Sequence, residues 1–146
     1  MKKVLMAIIL GLVLTTACEQ GIPPKKGMPN TMALSNGEVI YDLRGEWDSI
    51  IEIKNEEYGG IFNDIIEISQ KGNEFVGIIS TGNERYDKGY EMIKGELDTT
   101  GFKSIKFKTK VEGWKTPKVK IDENYNKIDI KVKAWGNKII LNLSRK

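Results

Sequence analysis

Side chains able to do chemistry are sparse along these 146 residues, and their types set limits before any element is drawn. The chain has no histidine and a single cysteine, Cys18. Ser-His-Asp and Cys-His nucleophile devices are therefore excluded, as are His-ligated metal sites. Carboxylates are plentiful, and two drawn from different strands could form the pair that glycoside hydrolysis requires. Most of them, however, fall at outward-alternating positions, where they solubilise. Asp122-Glu123-Asn124-Tyr125-Asn126 opens like a calcium loop, but Lys127 stands where the loop needs glycine and Lys133 where it needs its closing glutamate. That segment reads as a turn. A glycine-rich phosphate loop is also missing, so the expectation is a chain that is not an enzyme and uses no cofactor and no metal.

What remains are side chains suited to contact. Arg85, Tyr86 and Tyr90 gather in a polar loop from Gly82 to Tyr90, the best candidate for recognition. Trp114 and Trp135 lie beside expected turns, where an aromatic ring is placed to meet a ligand or partner. Lysines recur at every second position: Lys106, Lys108 and Lys110, then Lys118 and Lys120, then Lys131 and Lys133. At the period of a strand they share the wet faces of three successive strands and form one basic wall, suited to anionic headgroups or an acidic partner. Residues 18–101 carry 8 Lys/Arg against 16 Asp/Glu, and residues 102–146 carry 13 against 4. The two halves nearly cancel, so nucleic acid is not an expected partner.

The elements that must position these residues are strands. From Val39 onward apolar and polar residues alternate, as in Ile105, Phe107, Thr109 and Val111 against Lys106, Lys108 and Lys110. Strands are expected at 46–53, 63–70, 74–80, 90–98, 102–111, 116–122, 127–134 and 138–144, with room for a short one at 38–43. Lys71-Gly72-Asn73, Thr99-Thr100-Gly101 and Gly136-Asn137 supply short turns between them. The predicted fold is all-β, an antiparallel up-and-down meander barrel of about eight strands. A two-sheet β-sandwich is the alternative, although it usually needs longer crossovers.

The first residues follow other rules. Lys2 and Lys3 precede an apolar run from Val4 to Leu14, then Thr15-Thr16-Ala17 and Cys18. The run is too short to span a bilayer and has the parts of a cleavable leader. It resembles the signal peptide of bacterial lipoproteins. That resemblance implies cleavage after Ala17, lipidation of Cys18 and attachment to a membrane through it. The implied location is the cell envelope, and because Glu19 is not an aspartate, the outer membrane in a diderm host, facing periplasm or surface. The expected organisation is a signal peptide at 1–17, the lipidated cysteine with a flexible tether at 18–36, and a β-barrel domain at 37–146. As a coil the tether would reach about 20 to 25 Å.

Gly45-Glu46-Trp47, at the head of the first long strand, resembles the G-x-W signature of lipocalins and the wider calycin group. The resemblance implies that Trp47 plugs one end of the barrel while the open end admits a small apolar ligand. The expected function is thus a membrane-anchored envelope protein that binds a small apolar ligand. The alternative is a protein-interaction module, such as a periplasmic inhibitor or envelope-assembly accessory, acting through rim loops or the lysine wall.

Overall fold

A computed structural model describes residues 23–122 and 124–146. The leader and Cys18 lie outside the described residues. Every regular element among the described residues is a β-strand. Two short ones come first, β1 (Thr31–Ala33) and β2 (Val39–Tyr41), and pair with each other. A long meander follows: β3 (Gly45–Lys54), β4 (Gly60–Lys71), β5 (Glu74–Ile79), β6 (Glu91–Asp98), β7 (Gly101–Thr109) and β8 (Gly113–Lys115). It resumes with β9 (Lys118–Ile121), β10 (Lys127–Ala134) and β11 (Asn137–Arg145).

These nine strands form one antiparallel sheet in the order β8-β7-β6-β5-β4-β3-β11-β10-β9. The first and last long strands pair, Trp47 opposite Arg145 and Ile53 opposite Ile139. The sheet's two edges, β8 and β9, are consecutive in the chain and separated only by Thr116-Pro117. A sheet whose edges are joined by two residues must curl on itself, and the fold is barrel-like. One continuous ladder of this kind is not two facing sheets, so the sandwich alternative does not describe it.

The strand expected at 116–122 is observed as β9, and a further short strand, β8, precedes it. Residues 113–115 bond to β7 and residues 118–121 to β10. Proline has no N–H to offer a ladder and belongs at sheet edges and irregularities, so at Pro117 the segment changes partner. Trp114, expected beside a turn, falls within β8 as a result. Residues 31–36, expected as tether, also fold back: β1 pairs with β2, and Leu34 N–H donates to the Glu38 carbonyl. Ile40, Tyr41 and Leu43 after them are fully buried against one end of the sheet.

Alternation supplies the core. Inward positions carry Trp47, Ile51 and Ile53 on β3, Ile66 and Ile68 on β4, Phe75 and Ile79 on β5, and Phe102, Ile105 and Phe107 on β7, all buried. Even the small inward residue Gly77 leaves no gap, because a Cβ placed there would stand 2.6 Å from Ile93 Cγ1 and 3.0 Å from Ile66 Cγ2. That is the density of a packed interior.

Trp47 lies at the end covered by β1 and β2. Its indole N–H donates to the Leu43 carbonyl at 2.9 Å, and the Arg145 guanidinium sits 4.5 Å from its ring centroid. Arg145 also donates to the carbonyls of Asp42 at 2.6 Å and Arg44 at 3.2 Å. The last strand thereby holds the segment entering the first. Tyr41 and Tyr125 stack across the same end, and the Asn30 side-chain amide donates to the Asn124 carbonyl. Asp122 Oδ1 accepts the backbone N–H groups of Asn126 and Lys127, which folds residues 126–127 back on Asp122.

Candidate functional site

A solvent-open slot lies in the wall where the seam splits. Pairing of β9 with β10 ends at Lys118 opposite Lys131. Beyond that point Val132 to Ala134 of β10 have no strand on that side, while β8 stays with β7. The resulting opening is about 590 Å³, lined by Thr116, Val132 and five lysines: Lys115, Lys118, Lys131, Lys133 and Lys138. Val132, a core residue, is the one apolar side chain in its lining.

The register concentrates like charge there. Lys131 lies directly opposite Lys118, Lys133 opposite Lys138, and Lys138 opposite Lys54 on the far side. Like charges at opposed positions repel and destabilise a ladder. Among the described residues no carboxylate comes within ion-pair distance of Lys118, Lys131, Lys133 or Lys138. Lys115 pairs with Glu112 and also donates to the Lys133 carbonyl at 3.2 Å, reaching across the slot. Several unpaired ammonium groups around one concavity, with their own methylene stems and Val132 as the apolar lining, can hold an anion that also carries an apolar part.

The lysines expected to form one wall divide into two groups. On β7, Lys108 stands 5.4 Å from the Tyr90 ring centroid and 5.7 Å from that of Trp114, and just after β7, Lys110 stands 5.3 Å from the Tyr86 ring. These cations engage aromatic faces on the outer wall, with Lys94 also over Trp114 at 4.2 Å. Lys106 donates to the Thr116 hydroxyl beside the slot. On the other side, Lys118, Lys131 and Lys133 line the slot, while Lys120 lies opposite Asp129 on β10. Lys115 and Lys138 complete the slot without having been singled out in the sequence. Only the β10–β11 register, which sets Lys133 against Lys138, would have found the second of them.

The loop of Arg85, Tyr86 and Tyr90 is a folded unit. Asp64, buried on β4, accepts the backbone N–H groups of Thr81 and Gly82 and the Thr81 hydroxyl, and its second oxygen accepts the Asn83 amide. Asn83 Oδ1 in turn accepts the N–H groups of Arg85 and Tyr86. Tyr86 is buried and packs on Tyr90, so its ring is not a surface for a ligand. Burial pushes the Tyr90 hydroxyl pKa up to about 12, with Tyr86 adding to the effect, and Tyr90 donates to the Lys108 carbonyl. Trp47 is fully buried at the opposite end, and Trp114 is half-buried under its cations.

Trp135 alone among the named aromatics is open to solvent, at 70% exposure. It forms with Gly136 the two-residue loop between β10 and β11, at φ +49° and +74°. Two positive φ values in such a loop are the type I′ arrangement, which favours Asn-Gly. The loop lies at the rim end, beyond Lys133 and next to Lys138. No family model, curated protein or solved structure matches the chain.

Proposed function

We propose that this chain is a lipid-anchored envelope lipoprotein whose lipocalin-like barrel is a non-enzymatic binding module, and that its site is the lysine slot. The ligand class is an anionic amphiphile: a phosphate or carboxylate head held by Lys118, Lys131, Lys133 and Lys138, and an apolar portion against Val132. The observation that carries the proposal is the opposed lysine pairs, Lys131 with Lys118 and Lys133 with Lys138, kept without carboxylate partners around one concavity. The leader ending at Cys18 supports the anchor, and the antiparallel meander that begins at Gly45-Glu46-Trp47 supports the lipocalin-like reading.

Titration of the purified protein with pyrophosphate and with dodecyl phosphate at low ionic strength tests the slot, because exposed charges are screened by salt. Dodecyl phosphate is expected to bind more tightly than pyrophosphate. Lys131→Gln with Lys133→Gln should weaken both by about tenfold or more, the scale of one lost charge-assisted bond. The paired control, Lys120→Gln with Lys127→Gln, on β9 and β10 away from the slot, should change little. Equal loss in both double variants would reduce the slot to general surface charge.

A further inference from the structure

Four of the five large apolar side chains that stand exposed among the described residues belong to the rim end, opposite Trp47: Tyr58, Ile61, Val111 and Trp135. Trp135 and Val111 flank the slot, one at the tip of the β10–β11 hairpin and one in the turn between β7 and β8. Tyr58 lies in the β3–β4 turn, brought beside the β10–β11 tip by the Asn55–Asn137 side-chain hydrogen bond. Lysines stand just behind these tips, Lys110 next to Val111, Lys133 two residues before Trp135, and Lys138 three after it.

We infer that this rim docks on an anionic lipid bilayer, with Trp135 and Val111 entering the interfacial layer and Lys110, Lys133 and Lys138 meeting the headgroups. Tryptophan favours the boundary between headgroups and acyl chains, where its ring is half wet. Lysines behind an inserted tip add attraction to negative headgroups. Charge complementarity also sets the tilt. Glu56 and Glu57 adjoin Tyr58, so the β3–β4 turn is held back, while Glu112 next to Val111 is paired with Lys115 and the Trp135 and Val111 side leads. Backbone geometry argues in the same direction. A bulky side chain at positive φ is uncommon and strained, and such strain persists where the exposed side chain has a task. Asn30 meets Asn124 and Asn126 at the Trp47 end, so the first described residues lie at the end opposite the docking rim.

This surface shares Lys133 and Lys138 with the slot, and one substitution still divides docking from ligand binding, because Trp135→Asn leaves every slot lysine in place. The core runs from Ile40 to Leu143, so protein beginning at Glu19 carries all of it without the lipid-bearing cysteine. That protein would be mixed with vesicles of phosphatidylglycerol and phosphatidylethanolamine, with or without brominated acyl chains, and with neutral phosphatidylcholine vesicles. Expected results are a blue-shifted tryptophan emission quenched by bromine, kept in Trp114→Phe and lost in Trp135→Asn, and binding to neutral vesicles weaker by about tenfold or more. Trp135→Asn should still bind pyrophosphate like the parent. Unchanged emission with anionic vesicles would overturn the inference, as would equal binding by parent and Trp135→Asn. Capture of protein partners by the rim in the absence of vesicle binding would overturn it too.

Discussion

Trp135→Asn should make the protein more stable while removing its most exposed aromatic ring. Residues other than glycine and asparagine in the left-handed region lose about 1–2 kcal/mol to the clash of Cβ with the carbonyl, and Trp135 sits there at φ +49°. Against that stands the packing it gives up. With 70% of the residue exposed, the extra surface it covers relative to asparagine is on the order of 20–40 Å², about 0.5–1 kcal/mol at 25 cal/mol per Å². The balance is a gain of about 0.5–1 kcal/mol, a rise in Tm of about 2–4 °C for a domain of this size. Urea and thermal unfolding of Trp135→Asn, Trp135→Gly and Trp135→Ala would measure it. Asparagine should stabilise most, glycine less because it loosens the unfolded chain, and alanine least because it keeps the Cβ clash. If asparagine and alanine were equal, backbone strain would not be the cause. A fall in stability with asparagine would mean that the tryptophan holds the hairpin, and the argument for a strained functional tip would fail.

Trp47→Ala is expected to cost about 3–5 kcal/mol, and Arg145→Met about 1–3 kcal/mol by stripping the Asp42 and Arg44 carbonyls of their donor. Their double variant should lose less than the sum, because the two residues pack on each other; chemical denaturation of the cycle reads the coupling. Asp64→Ala should release the Thr81 and Gly82 N–H groups, cost about 2–3 kcal/mol and raise hydrogen exchange across residues 80–90 while the β3–β11 ladder stays protected. Stability should be flat near neutral pH and fall at both extremes. Tyr90 ionises at 10 when unfolded and about 12 when folded, so the unfolded state sheds its proton first and stability drops between those values. Tyr90→Phe should shrink that drop. On the acid side the Arg44 guanidinium holds the Asp42 carboxyl below its usual range, so its contribution is present above pH 3.8 and fades as pH falls below it. Asp42→Asn should flatten that limb in a thermal scan against pH.

Alternation by itself determined most of the ladder. A side chain that changes face at every residue cannot hide whether its neighbours are wet or dry, so Ile105, Phe107, Ile128 and Ile130 announced the core, and Lys106 and Lys131 announced the surface. Gly45-Glu46-Trp47 marked a residue that the fold buries completely. Local pattern also predicted turns at Gly72 and Gly136, where backbone conformation selects the residue. Register and partner exchange were not legible, because both depend on which strands meet. Nothing in residues 113–121 says that the chain changes partner at Pro117, or that the gap so opened sets Lys115, Lys118, Lys131, Lys133 and Lys138 around one slot. Polar residues 82–90 looked like a free loop, yet a single buried carboxylate from β4, Asp64, folds them down and takes Tyr86 inside. Composition fixes what each residue prefers. Only the curling of the sheet decides which preferences are met together, since that depends on contacts between residues far apart in the chain.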